Sequence, residues 1–228
     1  MTTIRKIANA ALDLLFPPKC AECGREGAYL CDTCKPGLKR LERPYCDLCA
    51  GPASEGVCSW CQAAPPAYDG IRAPYRHTET VRDMIHDLKY RNLRSAAPAL
   101  GRLLHTYFEK TPRAADLIVP VPLHPSRERE RGYNQSVLLA RELSHLTGIP
   151  SEPNLLRRTR DTAPQVTMEG YEQRRRNIEG AFECVGDPSG LSVLLVDDVV
   201  TTGSTMSACA APLKAKGATT VWGLSLAR

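Results

Sequence analysis

The run Val193-Leu194-Leu195-Val196-Asp197-Asp198-Val199-Val200-Thr201-Thr202-Gly203-Ser204-Thr205 decides the fold. Its first four residues are apolar without alternation, the pattern of a strand buried on both faces, and parallel sheets are built from such strands. A second run of this kind, Thr220 to Leu226, follows a helix-like segment, about Thr205 to Lys216. Strand, helix, strand is a βαβ unit, so the sequence predicts an α/β domain with a parallel sheet flanked by helices. The two aspartates then fall at the carboxyl end of the first strand, the edge where open α/β sheets bind ligands. Beyond them, backbone N–H groups of Thr202 to Thr205 can converge on an anion at the start of the helix. Thr201, Thr202, Ser204 and Thr205 add hydroxyls, and Gly203 permits close approach. Asp197 and Asp198 are suited to accept hydrogen bonds from a sugar diol or to help hold a hydrated Mg²⁺. The plainer reading is a buried strand followed by a capped helix. An acidic strand end also fits nucleotide-hydrolysing P-loop proteins, but the chain contains no Gly-x-x-x-x-Gly-Lys-Ser/Thr phosphate cradle.

Outward from this unit, Ile71 to Tyr75 and Leu117 to Val121 read as further strands. Thr78 to Tyr90, Arg94 to Lys110 and Asn134 to Leu146 read as helices. After the Leu117 strand, the segment His124 to Gln135 carries Arg127, Arg129 and Arg131, a basic anion site at a second strand end. Glu128 and Glu130 alternate with these arginines, which equally suits a solvated loop. A third basic stretch, Arg157 to Arg176, reads as a flap over an anion, a track for a polyanion or a plain surface helix.

Eight of the ten cysteines lie between Cys20 and Cys61, as the pairs Cys20/Cys23, Cys31/Cys34, Cys46/Cys49 and Cys58/Cys61. A Cys-x-x-Cys turn aims two thiolates at one tetrahedral position, and two turns complete a four-sulfur zinc site. The simplest arrangement is serial: the first four cysteines hold one zinc and the last four the other, with a cross-braced pairing as the alternative. A disulfide framework is the competing reading, but nothing in the sequence directs export. So polar a segment draws most of its folding energy from the metal. Ala63-Ala64-Pro65-Pro66-Ala67 reads as a linker, dividing the chain into 1–66 and 67–228. Cys184 and Cys209, far from the knuckles, are expected in the core.

The 228 residues are 43% hydrophobic and 24% charged, which excludes a collagenous, coiled-coil or wholly disordered chain. The net charge of +5 is compatible with a nucleic-acid partner without requiring one. Apolar stretches are interrupted well before the roughly 18 residues a membrane crossing needs, so no membrane insertion is expected. Met1 to Phe16 reads as a short amphipathic helix, since Asp13 interrupts the apolar core an export signal needs.

The Asp197-Asp198 strand end with Thr201-Thr202-Gly203-Ser204-Thr205 resembles the phosphoribosyl pyrophosphate (PRPP) signature of type I phosphoribosyltransferases. The resemblance implies that Asp197 and Asp198 bind ribose hydroxyls and that Thr201 to Thr205 bind the 5′-phosphate. The segment with Arg127 and Arg131 would then correspond to the loop that neutralises the diphosphate. Along nearly the whole chain, the order of features is similar to the ComF family, associated with natural competence and DNA uptake. The shared features are Leu14-Leu15-Phe16-Pro17-Pro18, the four Cys pairs, His86-Asp87-Leu88-Lys89-Tyr90, Arg131-Gly132-Tyr133-Asn134-Gln135, Thr162-Ala163-Pro164-Gln165, Arg176-Asn177-Ile178, Gly180-Ala181-Phe182 and the Asp-Asp loop.

The family resemblance implies a type I phosphoribosyltransferase-like sheet joined to a small double zinc ribbon. It implies a cytoplasmic protein with two structural Zn²⁺ ions, and with Mg²⁺ accompanying PRPP or another 5′-phosphorylated ribose. Its role would be to assist the handling of single-stranded DNA with other competence proteins. The alternative is a phosphoribosyltransferase of nucleotide metabolism acting on an unidentified base or amine. No segment identifies an acceptor-binding hood. A glutaminase half is not expected, since residue 2 is Thr rather than a cysteine nucleophile.

Overall fold

The computed structural model describes residues 17–162 and 176–228. The expected helix over Met1 to Phe16 and the centre of the third basic stretch, residues 163–175, lie outside the described residues. The helices are α1 (Ser59–Ala63), α2 (Glu79–Tyr90), α3 (Ala97–Lys110), α4 (Pro125–Arg131), α5 (Gln135–Thr147) and α6 (Ser204–Ala215). The strands are β1 (Gly70–Arg72), β2 (Leu117–Pro120), β3 (Leu156–Arg158), β4 (Phe182–Cys184), β5 (Ser192–Val199) and β6 (Thr220–Ala227).

The βαβ unit forms as its apolar runs require: β5 and β6 pair in parallel, with Leu194 opposite Trp222 and Val196 opposite Leu224. β1 joins the far side of β6 and β2 the far side of β5, giving an all-parallel sheet in the order β1-β6-β5-β2. β3 and β4 make a separate antiparallel pair. Both strands of that pair are three residues long, too short for a periodicity to announce them.

Side chains alternate along β5 and sort into two cores, because successive strand residues face opposite sides of a sheet. Leu194 and Val196 pack with Met84 and Leu88 of α2, Leu100 and Leu104 of α3, and Leu139 and Leu143 of α5. Val193 and Leu195 pack on the other face with Met206, Cys209 and Leu213 of α6. Each fully buried aliphatic chain contributes roughly 1.5–3 kcal/mol relative to exposure, so these layers hold the sheet. Cys184 and Cys209 are buried in the second cluster, as expected of small apolar residues.

The ribbons straddle the sheet. Tyr29 and Leu38, beside the first four cysteines, belong to the α2–α3–α5 core. Tyr29 Oη donates to Asp87 Oδ2 of α2 at 3.0 Å. Cys46, Cys49 and Cys61 belong to the α6 core, and the Ile71 N–H of β1 donates to the Leu48 carbonyl at 2.6 Å. Among the described residues, no helix is long and apolar enough to cross a membrane.

Candidate functional site

The cysteines form two sets, Cys20/Cys23/Cys31/Cys34 and Cys46/Cys49/Cys58/Cys61, with the sulfurs of each set within 4.8 Å of one another. The pairing is therefore serial. Four sulfurs at about 2.3 Å from a tetrahedral zinc are spaced by about 3.8 Å. Cys23 and Cys31 Sγ are 3.8 Å apart, and so are Cys49 and Cys58 Sγ. Backbone N–H groups already point at the sulfurs: Cys31 to Cys20 at 3.5 Å, Cys58 to Cys46 at 3.3 Å, Gly51 to Cys49 at 3.4 Å. Burial opposes ionisation of Cys20, but the N–H groups of Cys23, Cys31 and Glu22 outweigh it and bring the thiol to about 6. Cys46 is brought to about 6 in the same way, burial being outweighed by the N–H groups of Cys58, Cys49 and Leu48. Each set thus carries negative charge at neutral pH and suits Zn²⁺. These are the two four-cysteine zinc-binding sites.

At the carboxyl edge of the sheet, β5 ends in the two aspartates. Asp198 falls on the α2 face, as alternation along β5 dictates. There Val81, Met84, Ile85 and Leu88 of α2 point into the core, and Lys89, one position further round the helix, meets the strand end. Lys89 Nζ lies 2.6 Å from Asp198 Oδ2, with the carboxylate side chain 2% exposed. Burial alone would lower the lysine, but the Asp198 carboxylate outweighs it and raises it. The Val199 N–H donates to Asp198 Oδ1 at 2.9 Å.

Asp197 is placed by α5. Asn134 caps that helix, accepting from the Ser136 N–H at 2.9 Å and donating through Nδ2 to the Val121 carbonyl, just past β2, at 3.0 Å. This fixes Ser136, whose hydroxyl donates to Asp197 Oδ1 at 2.7 Å; the Asp198 N–H donates to the same oxygen at 2.9 Å. Burial, and then the Asp198 charge, raise Asp197 to about 7.

A cleft of about 360 Å³ opens here, lined by Lys89, Arg127, Gln135, Arg158, Asp197, Asp198, Thr201 and Thr205 together with apolar residues. A smaller recess beside it is lined by Asp197, Thr201, Gly203 and Thr205. The loop turns at Gly203, where φ is +80°. A Cβ at that position would lie 2.6 Å from Tyr68 Oη, so the turn needs glycine twice over.

The structure thus brings together Asp197, Asp198, Thr201, Gly203, Thr205 and Arg127. Thr202 and Ser204 line neither the cleft nor the recess. Their hydroxyls are 2.9 Å apart, the Ser204 N–H donates to Thr202 Oγ1 at 3.3 Å, and Ser204 is buried. Arg131 stands one layer back: Nη1 donates to Gln135 Oε1 and the guanidinium lies over the Tyr90 ring. The segment expected to be a loop is the helix α4, capped by His124 and ended by Gly132 in the left-handed conformation. Arg127 leaves that helix to donate to the Thr162 carbonyl, and Arg158 Nη2 donates to Thr162 Oγ1 at 2.5 Å. Lys89 and Ser136 are site residues outside every segment of the sequence read as a candidate site, whereas Gln135 closes the His124–Gln135 segment and Arg158 belongs to the third basic stretch. Lys89 was legible only as part of the shared His86-Asp87-Leu88-Lys89-Tyr90 run.

A double zinc ribbon domain matches residues 11–64. DNA utilization protein YhgH of Salmonella typhi is 34% identical over 207 residues, covering 89% of this chain and 85% of that protein. Competence protein F of Haemophilus influenzae is 31% identical over 210 residues, covering 87% and 90%. Among solved structures, the glutamine PRPP amidotransferase of B. subtilis complexed with ADP and GMP aligns at 25% identity and a TM-score of 0.40. That alignment spans 57% of this chain and 26% of that one. Fold and site define a class: a double zinc ribbon built onto a parallel α/β domain, with a charged cleft at the strand ends. Identity across most of both partners narrows the class, and the chain belongs to the ComF family, with competence protein F and YhgH.

Proposed function

We propose that the cleft binds PRPP, or another 5′-phosphorylated ribose, and that the protein assists the handling of single-stranded DNA in the cytoplasm. The observation that carries this reading is the convergence in one cleft of three cations, two carboxyls and the hydroxyl-lined loop. Lys89, Arg127 and Arg158 outnumber Asp197 and Asp198, and burial shifts Asp197 toward its neutral form. The balance favours a polyanion over a cation.

In this reading the recess at Thr201, Gly203 and Thr205 takes the 5′-phosphate and Asp197 accepts from the ribose diol. Asp198 is committed to Lys89, and Arg127 and Arg158 face the diphosphate. Bound Mg²⁺, held by the diphosphate with help from Asp197, would neutralise charge there. DNA handling rests on the names of the relatives, which speak of DNA utilization and competence. It also rests on the arginines and on the ribbon aromatics Tyr45 and Trp60, Trp60 being exposed.

Calorimetric titration with Mg²⁺ and PRPP, then with single-stranded DNA, tests both halves. Asp197→Ala/Asp198→Ala should weaken PRPP by at least about tenfold, one hydrogen bond to a charged group being worth that much, and leave DNA binding intact. Unchanged PRPP affinity in this variant would remove the reading. Release of diphosphate from PRPP only when one base or amine is added would replace it with the transferase alternative.

A further inference from the structure

A single side chain joins the second zinc site to the loop that leads from the aspartates. The Arg228 guanidinium donates from Nε to the Cys49 carbonyl at 2.6 Å and from Nη2 to Cys49 Sγ at 3.3 Å. From Nη1 it donates to the Thr201 carbonyl. Its backbone is pinned on both sides: the Arg228 N–H donates to the Tyr75 carbonyl at 3.0 Å, and the Arg228 carbonyl accepts from the His77 N–H at 2.9 Å. The ribbon is shaped to receive it, since a Cβ on Gly51 would lie 2.2 Å from Arg228 Nη2. Gly51 has a negative φ, so backbone conformation does not demand glycine there; the room for the guanidinium does.

We infer that Arg228 is a positioning residue through which metal binding at Cys46/Cys49/Cys58/Cys61 sets the conformation of the anion-binding loop. The inference rests on the reading of residues 201–205 as the phosphate seat. A guanidinium is a rigid planar fork, so its three N–H groups cannot follow Cys49 and Thr201 independently. A trans peptide is planar, so a Thr201 carbonyl turned toward the fork turns the Thr202 N–H the opposite way. Metal at Cys46/Cys49/Cys58/Cys61 would fix Cys49 Sγ and the turn that carries the Cys49 carbonyl, the two acceptors that hold one side of the fork. Metal at the ribbon thereby tightens the fork, and the fork holds the first peptide of the loop. Lysine, a single rotatable ammonium, cannot span the three acceptors. No contact of this kind reaches the first zinc site among the described residues.

The test compares zinc-loaded wild type, Arg228→Ala and Arg228→Lys by three readouts. These are amide hydrogen exchange over residues 202–205, zinc release to a chromogenic chelator, and calorimetric Mg²⁺–PRPP binding. Both variants should exchange faster at 202–205 and bind PRPP more weakly, each by about tenfold, the effect of one charge-assisted hydrogen bond. Of the two zinc ions, one should leave faster and the other at the wild-type rate. Cys58→Ser, at the second site, should reproduce the faster loop exchange; Cys23→Ser, at the first, should leave it unchanged.

Wild-type exchange at 202–205 in both Arg228 variants, or full rescue by lysine, overturns the inference. If Arg228→Ala does not fold, Arg228→Lys and the two cysteine variants decide it alone. If PRPP fails to bind even the wild type while the exchange and zinc effects appear, the ligand reading fails and the coupling stands. If PRPP binds wild type and variants alike and exchange is unchanged, the coupling fails and the ligand reading stands.

Discussion

Replacing Lys89 with methionine keeps the apolar stem at the end of α2 and removes only the charge. The outcome depends on what becomes of Asp198, whose buried Oδ2 lies 2.6 Å from Lys89 Nζ. At that distance the attraction is about 6 kcal/mol for an effective dielectric constant near 20, much of it offset by the dehydration of both groups. A carboxylate left alone there has two fates. It can stay ionised, at the roughly 3–5 kcal/mol that breaking a buried pair costs. Or it can take up a proton, at about 1.4 kcal/mol for each of the roughly three pH units between 7 and an ordinary carboxylate pKa, about 4 kcal/mol in all. The cheaper fate sets the loss, so unfolding free energy should fall by about 3–4 kcal/mol at pH 7. Protonation becomes easier in acid, so the loss should shrink to about 1.5 kcal/mol at pH 5. Urea unfolding followed by circular dichroism at pH 5, 6 and 7 reads both numbers, and adding Asp198→Asn to the variant should recover most of the loss. A deficit under about 1 kcal/mol at pH 7, within the range of an ordinary surface change, or one that does not shrink in acid, would refute the argument.

Gly203→Ala places a side chain at φ +80° and 2.6 Å from Tyr68 Oη. A melting curve should show a loss of about 1–3 kcal/mol, and calorimetry a weaker PRPP affinity; an unchanged melting temperature would mean the turn re-forms without strain. Asp197 titrates near 7 because burial and the Asp198 charge disfavour its ionised form. PRPP affinity should therefore rise between pH 6 and 8 as the better diol acceptor forms, and a flat profile in wild type would contradict that role; Asp197→Asn should flatten it. The folded chain is also the better proton binder between an ordinary carboxylate pKa of about 4 and this raised value, so this group's contribution to stability declines as pH climbs through that window, which the same urea series measures for Asp197→Asn against wild type.

The parts of the fold legible in the sequence are those written locally. Four apolar residues ahead of Asp197 specify a strand buried on both faces, and the cysteine spacing specifies two tetrahedral sets. The α4 helix escaped because Pro125 to Arg131 contains no aliphatic residue and so no apolar stripe. Its signals were punctuation, Pro125 at the first position and Gly132 after the last. What could not be read locally is the convergence: Lys89 and Arg158 lie far from Asp197 in sequence and reach the cleft only through packing of α2 and pairing of β3 with β4. Ser204, counted among the hydroxyl donors, is buried because helix α6 starts there and turns it toward Thr202.

The parallel order of the strands also bears on how the chain is made. β1, next to the second ribbon, pairs with β6, its one sheet neighbour among the described residues, with Ile71 opposite Gly223. About 150 residues separate the two, so at roughly 5–20 residues per second the ribbon emerges from the ribosome some 8–30 seconds before its docking edge exists. Chains stalled after Ala215 should hold zinc yet remain open to protease around Ile71; protection there would show that the ribbon docks without β6. During that interval metal binding supplies order that the sheet edge cannot yet give.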